Sequence, residues 1–168
     1  MKTLFVTIAF TAGIAGVQAQ HMLREANMGF SVNFPAAYRA EAPLPAEKSV
    51  GRFSMQSFSC VTSDSTRFVA TVAVLPSFSE DEQSIRTILQ EVGMPQSGVG
   101  QLKVKETFAA KTGELLIDYT DCKSGLPSRT RVFYRNGHLV HLQLMSHKEY
   151  RISNGDWKRF STSFKTDW

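Results

Sequence analysis

The sequence is poor in the residues that build reactive or metal-binding sites. It holds 2 cysteines and 4 histidines in 168 residues, and no Cys-x-x-Cys pair. It contains no Gly-x-Ser-x-Gly, which removes the strained strand-to-helix turn that exposes a hydrolase serine. No Gly-rich loop opens a helical stretch, so a phosphate cradle of that kind is absent; Gly98 and Gly100 lead into a strand pattern instead. Long apolar runs are missing too. The longest, residues 4–16, has about 13 positions against the roughly 20 a bilayer-spanning helix needs. Charge is thin and mixed, 19 basic against 15 acidic side chains. That balance lacks the clustering on which nucleic-acid binding depends.

What is present begins with an address. Lys2, the apolar run and the slim Val17-Gln18-Ala19 follow one another in the order of a cleavable export signal. Residues 1–19 are therefore read as a signal peptide cut near Ala19, and residues 20–168 as one domain. The destination is periplasmic or secreted, with a Gram-negative periplasm favoured. No cysteine follows the cut, so a lipid anchor is not expected. Without Lys2 the balance is 18 basic to 15 acidic, a net +3. Export also gives Cys60 and Cys122 an oxidising surrounding in which a disulfide persists. Closing the 63-residue loop between them would add about 4 kcal/mol in the chain-entropy model.

Hydropathy patterning then marks the elements. Residues 20–27 are a polar lead with room for a helical turn. Phe30, Val32 and Phe34 alternate with polar residues, a half-buried strand stopped by Pro35. Residues 36–48, with Pro43 and Pro45, predict an irregular connection. Strands are expected over 51–61 and 67–75. Ser79 and Glu82 form a capping box ahead of Ile85, Ile88, Leu89 and Val92, which fall on one helical stripe. Strands over 101–108, 114–121, 129–135 and 138–145 follow. Asn136-Gly137 joins the last two as a hairpin, since both turn residues must take positive φ. Asn154 caps a closing helix carrying Trp157, Phe160 and Phe164. The fold class is α+β: an α/β/α sandwich with a mainly antiparallel central sheet flanked by two or three helices.

Three stretches, in this order, carry a resemblance: Gly29-Phe30-Ser31-Val32-Asn33-Phe34-Pro35, the hairpin from Arg131 to Leu142, and Phe160-Ser161-Thr162-Ser163-Phe164. Together they resemble the PsbP-like superfamily, which includes the extrinsic photosystem proteins, the bacterial DcrB lipoproteins and many exported proteins. The likeness spans about residues 28–165. It implies a sandwich fold and a binding, assembly or chaperone-like role without catalysis. It assigns no metal or cofactor residues here.

The residues themselves point the same way. His138 and His141 are three apart on a strand and so face opposite sides, which denies them a shared metal. Asp118 and Asp121 are separated in the same manner. No cofactor is expected, and no catalytic residue is assigned. The candidate binding face combines Arg131, Phe133, Arg135, His141 and Gln143, aromatic and basic groups of the kind enriched at binding hot spots. In a competing arrangement a helix covers this face and Arg131 pairs with Asp118. The expected partner is another protein in the envelope or outside the cell, met by a monomer with no transmembrane anchor. The alternative is an inhibitor or immunity protein that blocks a secreted enzyme or toxin through a loop at 96–100 or 123–128.

Overall fold

The computed structural model describes residues 21–75, 81–93, 102–121, 126–146 and 152–168. The signal segment 1–19, Ser79, the loop 96–100, Cys122, residues 123–125 of the loop 123–128 and His147 lie outside the described residues.

Among these residues the chain order is β1 (His21–Glu25), β2 (Phe30–Phe34), β3 (Arg39–Ala40), β4 (Leu44–Lys48), β5 (Gly51–Val61), β6 (Arg67–Val74), α1 (Glu82–Gly93), β7 (Leu102–Ala109), β8 (Glu114–Asp121), β9 (Pro127–Arg135), β10 (His138–Met145), α2 (Asn154–Ser163) and β11 (Lys165–Thr166). The larger sheet runs β3-β5-β6-β10-β9-β8-β7, with β4 also on β5, and a smaller one runs β1-β2-β11. Every described pairing is antiparallel. After β6 the chain forms α1, resumes at the far edge in β7, and returns strand by strand until β10 closes against β6. This is an antiparallel α+β fold.

Side-chain alternation divides the larger sheet into two faces. On one, Phe58, Phe68, Val72, Val140 and Leu142 pack with Phe30, Val32 and Phe34 of β2 and with Phe160 of α2. Aromatic rings hold this core: Phe160 meets Phe34 at 5.5 Å and Phe68 at 5.3 Å between centroids. On the other face, Phe53, Ala73, Leu115, Ile117, Val132 and Leu139 pack with Ile88 and Leu89 of α1. These are called the β2 face and the α1 face below. Both helical residues are fully buried, as the expected stripe requires.

The hairpin turn takes the form its sequence demands, with φ of 48° at Asn136 and 77° at Gly137. Gly29 also has positive φ, 62°, and a Cβ there would stand 2.9 Å from Cδ1 of Trp168. The indole needs that space, because its Nε1–H donates to the Met28 carbonyl at 2.9 Å.

Several local expectations are corrected. Residues 21–25 form a strand, not a helical turn, because β2 offers them an open edge with Leu23 directed into the core. The irregular connection contains β3 and β4, both short and both paired with β5. At α1, Asp81 caps the helix, and the expected Ser79 lies outside the described residues. The Asp81 carboxylate accepts the Ser84 N–H at 2.9 Å and the Ser84 hydroxyl at 2.7 Å. At α2 the cap is Ser153, one residue before Asn154, and its hydroxyl oxygen accepts from the Asp156 N–H.

Candidate functional site

The two-residue turn sets the register of β9 against β10. Arg135 faces His138, Arg131 faces Leu142, Val132 faces His141 and Thr130 faces Gln143. Directly paired residues share a face. Paired residue numbers therefore always sum to 273, an odd number, so an odd position on β9 never shares a face with an odd position on β10. The expected set separates accordingly. Arg131 and Phe133 lie on the β2 face, and Arg135 is exposed at the strand end. His141 and Gln143 lie on the α1 face, beside Val132 and Thr130.

On the β2 face Arg131 is held on three sides. Its Nε and one terminal nitrogen donate to the two Glu114 oxygens at 2.9 and 3.0 Å. Its other nitrogen donates to the Ser161 carbonyl at 3.0 Å, and the guanidinium lies 5.1 Å from the Phe133 ring centroid. Asp118 pairs instead with Arg129, which also donates to Asn154 at 2.8 Å. α2 thus borders both arginines, and the acid on Arg131 is Glu114, not the Asp118 of the competing arrangement. Past this border the face continues over β8 and β7 as a shelf. Leu116 is 39% exposed there, and Lys105, Thr107 and Ala109 are exposed beyond it.

The α1 face holds a polar band across the central strands. Gln143 donates to the Tyr119 hydroxyl at 2.6 Å and to Ser128 at 3.2 Å. Ser57 and Thr71 share a hydrogen bond at 2.8 Å. Nearer the β3 edge, Ser59 and Arg67 both donate to Glu41 at 2.7 Å. These donors, Ser59 foremost, outweigh partial burial and hold the Glu41 carboxyl below its ordinary range. Three buried atoms in the band have no hydrogen-bond partner: Thr130 Oγ1, His141 Nε2 and Arg67 Nε. Part of the His141 residue remains accessible, but its Nε2 does not. Burial lowers the His141 pKa to about 4, so the ring is neutral near pH 7.

Among the described residues His141 Nε2 has no hydrogen-bond partner, so no hydroxyl there donates to it. His138, on the opposite face, stacks on Trp168 with centroids 4.2 Å apart. Cys60 is a free, buried thiol whose pKa is raised by burial. The bridge expected between Cys60 and Cys122 involves a residue outside the described ones. Among the described residues no group of three or more His, Cys, Asp or Glu side chains could hold a metal ion. No helix among them is long and apolar enough to cross a membrane.

Neither the Arg131–Glu114 pair nor the shelf beside it is visible as a motif. The signal that points to both is the register implied by Asn136-Gly137, combined with the acids at 114 and 118 on the neighbouring strand.

No protein-family model matches the chain, and no curated protein matches it. Among solved structures, the solution structure of cyanobacterial PsbP (CyanoP) from Synechocystis sp. PCC 6803 is similar, with a TM-score of 0.51 and 12% sequence identity. The match covers 93% of this chain and 97% of that one. At this identity the likeness is one of fold.

Proposed function

We propose that the protein is an exported, non-catalytic binding or assembly module built on a PsbP-like α/β/α sandwich, acting on another protein of the envelope or the exterior. The observation that carries this reading is the shelf of β7, β8 and β9 beside α2. Its arginines are ion-paired and braced against the helix, and Leu116 stands exposed between them and the sheet edge. A rigid polar floor with one accessible apolar side chain suits protein contact, in which a few central side chains supply most of the affinity. The PsbP-like fold supports the same role by resemblance, and the export signal supports its place.

The test is capture. The mature protein, immobilised through an exposed residue of β1, is incubated with the soluble and solubilised envelope fractions of its native cell. The expected result is one saturable partner, retained by wild type and lost at least about tenfold in Leu116→Glu, since an apolar contact of this size is worth roughly 1.4 kcal/mol or more. Hydrolytic turnover by the purified protein, with no partner recovered, overturns the reading.

A further inference from the structure

The two edges of the larger sheet are built differently. At one end β3 and β4 both lie along β5, each short, and β4 contains Pro45. Short strands and proline are the usual means of closing an edge to further pairing. At the other end β7 runs for eight residues without proline and pairs with β8 alone among the described residues. Its outward N–H and C=O groups form a template for another strand.

The two sides of β7 also differ. Towards α1, Glu106 accepts from Gln90 at 2.8 Å and lies 3.8 Å from Arg86, whose guanidinium sits over the Phe108 ring. That side is occupied. Towards the shelf, Lys105, Thr107 and Ala109 are exposed. Lys105 faces Asp118 across the strands, but Asp118 is already engaged by Arg129. The ammonium at the open edge therefore lacks a carboxylate of its own among the described residues.

We infer that β7 accepts an extended acidic segment of another protein as a further strand, with a carboxylate of the incoming chain opposite Lys105 and the segment's apolar side chains over Thr107 and Leu116. This deepens the binding reading proposed above and rests on it. A second copy of this chain fits less well. Antiparallel pairing of β7 with itself, centred on Lys105 or on Glu106, would set like charges directly opposite, which is destabilising.

The experiment uses two synthetic eight-residue peptides, Thr-Glu-Thr-Val-Thr-Glu-Thr-Val and Thr-Lys-Thr-Val-Thr-Lys-Thr-Val, each of which sets its charged residues and its valines on one face of an extended strand. Each is titrated into the full mature protein and followed by amide chemical shift and hydrogen exchange. The expected result is preference for the glutamate peptide by about tenfold or more, as several favourable cross-strand pairs allow, with slowed exchange confined to residues 102–109. Lys105→Glu, a change at an exposed position, should reverse the preference. Three results would overturn the inference: no binding of the glutamate peptide at millimolar concentration, equal binding of both peptides, or slowed exchange in β7 that tracks protein concentration alone and so reports self-pairing. Partner capture through Leu116 that persists when neither peptide binds would sink the strand-addition proposal and leave the assembly reading standing.

Discussion

Arg131 and Glu114 meet as a two-pronged pair, with both donor distances at or below 3.0 Å and the side chains 27% and 21% exposed. The planar fork of arginine matches the two carboxylate oxygens, and the third donor reaches the Ser161 carbonyl, so one side chain fastens β8, β9 and α2 together. Arg131→Ala should cost about 2 kcal/mol, the scale for charged hydrogen bonds at a half-buried position. Arg131→Lys should recover less than half of that, because an ammonium cannot serve three directions in a plane. Urea unfolding of both variants, of Glu114→Gln and of Arg131→Ala combined with Glu114→Gln measures it. Additive losses would show that the pair is not coupled.

His141 should make stability depend on pH. Its pKa is about 4 in the folded protein and near 6.5 when unfolded. Between those values the unfolded chain binds the proton and the folded one does not, so stability falls as pH drops from about 6.5 to about 4 and then levels off for this group. The full loss is about 3 kcal/mol. Glu41, whose folded pKa is lowered, supplies stability above the ordinary carboxyl range and withdraws it at lower pH. Unfolding measured at pH 7.5 and 4.5 should separate wild type from His141→Phe. Parallel pH profiles would mean that His141 is solvated in the folded state.

Thr130 has a fully buried hydroxyl with no partner. Thr130→Val keeps the branched shape and removes the unmet polar group, so it should raise stability by about 1 kcal/mol. A loss of similar size would show that the hydroxyl is satisfied in solution by a bound molecule.

Cys60 should resist thiol reagents in the native protein and react once the chain is denatured without reductant, since its sulfur is buried and its thiolate disfavoured. A denatured, unreduced chain in which Cys60 stays unreactive would establish a disulfide in place of the free thiol.

Much of the fold is written locally. Asn136-Gly137 specifies its hairpin, Phe30 to Phe34 alternate as a half-buried strand, and Ile88 and Leu89 mark the buried stripe of α1. These features depend on neighbours in sequence. β1, β3, β4 and β11 do not; they are strands because a distant edge is available, and their own residues show little alternation. The candidate face fails for a related reason. Reading β9 and β10 separately puts Arg131 and His141 together, whereas the register across their shared turn puts them on opposite sides of the sheet. The cap of α1 is Asp81, an acid directly before the first helical residue that also fits the usual preference at that position.

The small sheet has a consequence for the order in which the molecule can be completed. β2 is flanked by β1 and by β11, whose residues are 165 and 166, and Phe160 of α2 fills the centre of the β2-face core. A chain emerging from its N-terminus holds β2 early, yet cannot complete that core until α2 and β11, more than a hundred residues later, have arrived. Until then Phe34 and Phe68 lack the ring that joins them. Closure of this layer thus waits for Phe160 and for β11, and a growing chain stays unlatched until both are free to pack.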